Sequence, residues 1–468
     1  SYTGYQWGFV GPWWYALGAT IPLPIMAYMG RQIKTLMPKA TSYPEFVRFR
    51  TDKKNHLLHS IITIIVCFWV TLMIITGGGV MGVSFTGAPF WAIALIMVVI
   101  FVSYVSLAGL WASIFADTIM SLVMYACIMI ICWTVVIKIG PSAIYDGLVQ
   151  VIQNKPHLAT DMPLEAAKYQ WDPLNWLNAR GLGFLIVNTI GNLGAVLCNQ
   201  TYWSRVTGAR DPQIVFRSFM TAAFCWWPIP FATATALGVT GLSMHLQVGE
   251  MYYWGEHGMM FTESSAVAPM AAFLVLGFLG LALFVIAVGG ATISTGAGEI
   301  MAVVTVVIND IYKGYINPDA KDKQLLFQSR LWLYITAAVL LGIVIWWRII
   351  GFSFSGMYEA MGVAFSSAVV PLIMMVFWKK TNYSGVFWGT IIGALCGIYY
   401  WVVVTNFDML WGVVWGNIIV MSVSAVIAIP WTLIKPQPFD YSTLKDAGFE
   451  YESVEEMLIV GESESEEK

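Results

Sequence analysis

Ala291, Ser294 and Thr295 lie inside a long apolar segment at i, i+3 and i+4, so they share one face of a helix. A backbone carbonyl and two hydroxyls meeting there form half a cage for a small cation. Lipid offers no water to stray polar atoms, so such groups need partners. The face is therefore built for an ion or for close packing against another helix, and spacing leaves both open. Asp117 closes the run Ala108 to Asp117 and reads either as an interfacial acid or as a relay for cations on the inward path. Asn188, Asn192, Asn199 and Gln200 crowd a second apolar segment, and Asn192 and Asn199, seven residues apart, share a face. Amides both donate and accept, which suits a neutral polar solute as well as helix–helix bonding. Glu299 and Glu359 are the carboxylates deepest in apolar context; each has to be protonated, paired, or beside a water-filled cavity. Pro22, Pro24, Pro228, Pro230 and Pro371 interrupt apolar segments and free backbone carbonyls where a solute can sit.

The elements that must position these residues are membrane helices. Of 468 residues, 58% are hydrophobic and 11% charged, and the mean hydropathy is +0.71. Several apolar runs reach the ~20 residues that cross a bilayer. Eleven spans are expected, near 10–29, 57–78, 90–107, 112–138, 181–199, 218–242, 272–309, 328–349, 354–378, 384–405 and 410–434. The seventh is too long for a perpendicular crossing and should tilt, extend beyond the bilayer or kink near Gly289-Gly290. One set of loops carries 16 Lys and Arg against 5 on the other, which makes the first set cytoplasmic. Ser1 is then outside and the tail inside, in a multi-pass protein of the cell membrane. Residues 1–434 form the transmembrane domain, and 435–468, ending in Gly-Glu-Ser-Glu-Ser-Glu-Glu-Lys, read as a solvated, disordered acidic tail. The chain begins at Ser1 and enters a span almost at once with no cleavable signal, as a fragment or processed product would.

Gly385, Gly389, Gly393 and Gly397 recur every fourth residue, a stripe for packing within the chain or for an oligomer contact. The six cysteines sit in apolar segments without a CxxC pair, which suggests buried thiols rather than disulfides or a metal site. No Rossmann, P-loop, HExxH or GxSxG pattern occurs, so nothing points to an enzyme, and no nucleic-acid partner is expected.

The run from Ser294-Thr295 to Asn309-Asp310-Ile311-Tyr312-Lys313 resembles the ion-binding eighth core helix of the sodium:solute symporter family. Ala108-Gly109-Leu110-Trp111-Ala112, leading to Asp117, is similar to that family's Gly-Gly-Leu-x-Ala…Thr-Asp signature. Asn192-Leu193…Asn199-Gln200…Arg205 looks like its sixth core helix, and Phe377-Trp378-Lys379-Lys380 closes the tenth in the family manner. Within the family, Gly11-Pro12-Trp13-Trp14-Tyr15-Ala16, Ile229-Pro230-Phe231 and Tyr315-Ile316-Asn317-Pro318 resemble the urea active transporter branch.

The resemblance implies an all-α LeuT-type five-plus-five inverted repeat. The first four spans correspond to core helices two to five, the next five to six to ten, and two extra helices follow; the first core helix would precede Ser1. It also implies a sodium site at the Ala291 carbonyl and the Ser294 and Thr295 hydroxyls, with Asp117 on the inner cation route. Ala297 and Gly298 stand where some members use hydroxyls for a second sodium, so one coupling cation is expected. Asn192 and Tyr358 occupy solute-facing positions, with Glu359 beside them. The urea branch looks apolar at the Glu359 position, so this carboxylate either favours a cationic or amine solute or bonds a neighbouring helix. The implied function is symport of a small polar solute with sodium or a proton, with no other cofactor. Urea-like solutes lead, followed by amines, polyamines, amino acids and sugars; the rival reading is a transport-inactive subunit or sensor on the same fold.

Overall fold

All eleven apolar segments fold as helices, because only a backbone that satisfies its own N–H and C=O groups is stable without water. The computed structural model describes residues 1–107, 110–154, 173–177, 179–409 and 411–449. Among these, nine helices are long and apolar enough to cross a membrane, and the Phe90–Ser106 stretch is a shorter apolar one. The expected 10–29 span divides at Ile21 into α1 (Val10–Thr20) and the Pro22–Leu36 helix. Proline there costs no hydrogen bond, since first-turn N–H groups have no partner within the helix.

The site is built by α2 (Tyr43–Arg50), α3 (Lys53–Thr86), α4 (Leu110–Lys138), α5 (Ala179–Leu197), α6 (Gln200–Thr207), α7 (Phe278–Thr305) and α8 (Phe354–Phe365). α5 lies against α1 and α8, and α7 packs on α3, α4 and α6. The largest buried cluster joins the Pro22–Leu36 helix, α2, the end of α5 and the Val369–Phe377 helix. A second gathers Phe184 of α5 with Ile131 and Val135 of α4 and the buried face of the Val267–Leu276 helix.

Three expectations change. α7 runs unbroken through Gly289-Gly290; the chain turns instead at Gly277 (φ 63°), before the helix, and widens into a π-helix over Val306–Ile316 after it. Gly277 combines a positive φ with the Trp254 ring laid against its Cα, two demands only glycine meets. The Met251–Trp254 and His257–Met260 strands form an antiparallel hairpin in a loop where no strand was expected. The tail is not free from residue 435: Tyr441 Oη donates to the Met375 carbonyl at 2.9 Å, and the Phe449 N–H donates to Glu45 Oε1 at 2.6 Å. Residues 450–468, which hold the acidic run, lie outside the described residues, as does Trp171.

The glycine stripe faces inward. A Cβ at Gly389 would lie 2.9 Å from the Ser424 carbonyl, and one at Gly393 2.7 Å from that of Val420. α9 (Tyr383–Tyr399) thus seats α10 (Gly412–Ile434) along its whole stripe, and that face is used within the chain rather than left for an oligomer.

Candidate functional site

Small residues let α8 approach α5. A Cβ at Gly191 would meet the Met361 side chain at 2.8 Å, and one at Gly194 the Ser366 hydroxyl at 2.5 Å. That proximity brings Tyr358 to the amides of α5. Its hydroxyl donates to Asn188 Oδ1 at 2.5 Å and accepts from Asn192 Nδ2 at 2.9 Å. Asn192 Nδ2 also donates to Asn188 Oδ1 at 2.7 Å, and Asn188 Nδ2 donates to the Tyr15 carbonyl of α1 at 2.8 Å. The Tyr358 ring packs with Tyr15 and Phe184, with centroids 5.7 and 6.4 Å away. Tyr15, Phe184 and Tyr358 line one side of a cavity of about 440 Å³, completed by Phe354, Val288 and Glu359 among others. This is the form of a small-solute site: mostly apolar and aromatic walls with a few convergent polar groups.

Glu359 borders that cavity without bringing free charge to it. Arg180, in the first turn of α5, lies 3.3 Å from its Oε2, and both side chains are buried. The same guanidinium donates to the Met409 carbonyl at 2.8 Å and stacks on Trp7, 5.6 Å from the ring centroid. Glu359 thus bonds a neighbouring helix through Arg180 while remaining on the cavity wall.

The second cluster lies on α7. Ser294 Oγ donates to Asp117 Oδ1 of α4, and Arg205 of α6 binds Asp117 Oδ2 at 2.7 Å. The ion pair is about a quarter exposed, at 27% and 26%. Ala291 is half-buried and Thr295 is exposed on the same helix. The contacts shown for Asp117 are thus the Ser294 hydroxyl and the Arg205 guanidinium, with Ala291 and Thr295 on the same helix as Ser294; oxygen donors of this kind suit hard cations rather than transition metals. Among the described residues no group of three His, Cys, Asp or Glu could hold a metal.

The structure thus joins Asp117 with Ser294, and Asn192 with Tyr358, while Glu359 turns to Arg180. In the sequence Arg180 reads only as a charge at the edge of the apolar run that begins at 181. Its signal was available, since a buried acid at membrane depth demands a named partner and this arginine opens the adjacent span. Asn188, not Asn199, proves to be the amide that shares Tyr358 with Asn192. Asn199 instead caps α6, accepting from the Thr201 N–H at 2.7 Å, and its amide binds Glu299.

Helices interrupted at Ile21 and between Leu197 and Gln200, gathered around a polar cluster, define a polytopic helical membrane protein of LeuT-type fold. The family model of the sodium:solute symporters matches residues 1–393, and the chain belongs to that family. It is 29% identical to the urea-proton symporter DUR3 of Oryza sativa subsp. japonica over 98% of this chain and 65% of that protein. It is 26% identical to the urea active transporter of Saccharomyces cerevisiae, over 94% of this chain and 61% of the other. The chain therefore spans about two thirds of the length of these relatives, or less. A solved Na+-coupled sialic acid symporter superposes with a TM-score of 0.69 at 15% identity, over 94% of this chain and 87% of its own; this shows a common fold.

Proposed function

We propose that the protein is a cation-coupled symporter that imports a small, neutral, polar solute of the urea class by alternating access. The observation that carries this reading is the Asn188–Asn192–Tyr358 cluster beside an aromatic cavity whose one acid is matched by Arg180. Amide and phenol groups pair with a solute that both donates and accepts, as urea does. The Arg180–Glu359 pair disfavours amines and polyamines, because Glu359 is already neutralised. The names of the rice and yeast relatives point to the same solute.

Ala291, Ser294 and Thr295 are the proposed sodium ligands, with Asp117 accepting from Ser294 and stationed at the cation's way out. Solute would enter from the side on which Ser1 lies, and the Lys- and Arg-rich loops and the tail would face the cytoplasm of a cell-membrane protein. Residues 1–434 would constitute the transporter domain and 435–468 the cytoplasmic tail.

The test is uptake of labelled urea into proteoliposomes under a sodium gradient. The double substitution Ser294→Ala with Thr295→Ala should abolish sodium stimulation while the protein still elutes as a folded species. Sodium dependence unchanged in that variant would remove the site.

A further inference from the structure

Resting on the reading of the protein as a cation-coupled symporter, we propose that Glu299 binds a transported proton. Glu299 lies on α7, five residues beyond Ser294, and is 2% exposed. Its two carboxyl oxygens accept from one amide, Asn199 Nδ2, at 2.9 and 3.1 Å. No Lys, Arg or His lies within ion-pair distance of it among the described residues. Cys67 faces it from α3, and Tyr202 and Arg205 from α6. Asp117, from α4, is the group that engages Arg205, at 2.7 Å. Of the two acids deepest in the membrane domain, Glu359 is neutralised by arginine and Glu299 has no such partner. Burying an uncompensated charge is prohibitive, and a proton supplies the compensation.

The contacts of Glu299 give that proton mechanical consequences. A carboxylate accepts at both oxygens; protonation turns one of them into a donor. The Asn199 amide must then change its grip, while Asn199 Oδ1 accepts from the Thr201 N–H at 2.7 Å and from Cys67 Sγ at 3.4 Å. Asn199 stands at the break between α5, which carries Asn188 and Asn192, and α6, which carries Arg205. One protonation is thereby linked to the solute cluster on one side and to the Asp117–Ser294 pair on the other. An O–H bond forms on entry and breaks on release, with no electron transferred.

A polar face leads away from the site along α3. Cys67, Thr63, His59 and His56 follow one another at intervals of four, four and three residues, on one side of the helix. Thr63 donates to the Tyr43 hydroxyl at 2.6 Å, and His56 meets Asp310 at 3.0 Å and Tyr315 at 2.6 Å. Between them His59 is fully buried, and neither ring nitrogen has a partner.

The experiment is urea accumulation in proteoliposomes at clamped membrane potential, with a pH gradient and no sodium. A one-unit gradient should concentrate urea about tenfold in vesicles of the unsubstituted protein. Glu299→Gln should lose that accumulation while retaining urea exchange without a gradient, and Glu299→Asp should keep both. As a measurement that needs no variant, carbodiimide labelling of the unsubstituted protein, mapped by mass spectrometry, should modify Glu299 increasingly as pH falls. Proton-driven accumulation that survives in Glu299→Gln, or labelling of Glu299 independent of pH, would overturn the proposal. So would urea uptake driven by sodium and indifferent to pH, which leaves the symport reading standing. A protein that exchanges no urea at all would instead bring down the symport reading itself.

Discussion

Glu299 and Glu359 are alike in the sequence: two glutamates in apolar helices. Their fates differ because Arg180 forms an ion pair with one, while the other is held by neutral groups, chiefly the Asn199 amide. A buried ion pair is costly to break, since removing one partner strands the other charge, at about 3–5 kcal/mol. Arg180→Met and Glu359→Leu should each lower the unfolding temperature in detergent strongly, and the double substitution should recover most of the loss. Equal losses in the single and double variants, read by thermal melting, would show that the two residues act separately. The same contrast explains what could be read of the site beforehand. Ser294, Thr295 and Asn192 stand out in the sequence because polar groups at membrane depth are conspicuous, while Tyr358 enters only through the family resemblance. Which residues pair is not legible there, because Asp117 lies 177 residues from Ser294 and Arg180 lies 179 from Glu359.

At the level of elements, the 3.6-residue period and the length of apolar runs located the long helices of the site, but not the short α2 and α6, which lie outside the expected spans. What periodicity could not supply was the neighbour of each face. The stripe at Gly385, Gly389, Gly393 and Gly397 permits close approach by any helix, and α10 takes it because a short connection returns that helix alongside α9. Two glycines of α9 and α7 give opposite predictions. Gly393→Leu would drive a side chain into the Val420 carbonyl, 2.7 Å from the Cβ position, and should cost about 1–3 kcal/mol. Gly289 has nothing within 4 Å of its Cβ position, so Gly289→Leu should melt close to the unsubstituted protein. Similar melting temperatures for the two variants would contradict the packing described for α9 and α10. Of the tilt, extension or kink open to this long span, the kink at Gly289-Gly290 is absent for a related reason: glycine allows a bend, but neighbouring contacts decide where one occurs, and here the chain turns at Gly277.

Across the whole molecule, the segment after α10 folds back and ties distant parts of one end together. Arg50 of α2 stacks on Phe439 and Tyr441, 4.6 and 5.2 Å from the ring centroids, and donates to the Met375 carbonyl at 3.1 Å. Glu45, also on α2, accepts from Thr41 and from the Phe449 N–H. Burial raises its pKa above the ordinary 4.5, against the opposing effect of those hydrogen bonds. The folded protein therefore holds the Glu45 proton more tightly than the unfolded chain does. Its contribution is fully present below pH 4.5 and is lost as pH rises through the raised value. Glu45→Gln should flatten the fall of melting temperature over that window, and an unchanged slope in the variant would assign the pH dependence elsewhere.

The sequence by itself determined that the chain is a bundle of membrane helices, which segments cross, and which few polar residues must matter. Those conclusions follow from solvation and periodicity, which are local properties of a chain in lipid. Only the tertiary structure decided what each polar residue does, because pairing depends on which helices become neighbours. Asp117 receives Ser294, Asn192 shares Tyr358 with Asn188, and Glu359 is spent on Arg180. Glu299 is left in the interior with an amide, where no spacing rule could have distinguished it from a paired acid.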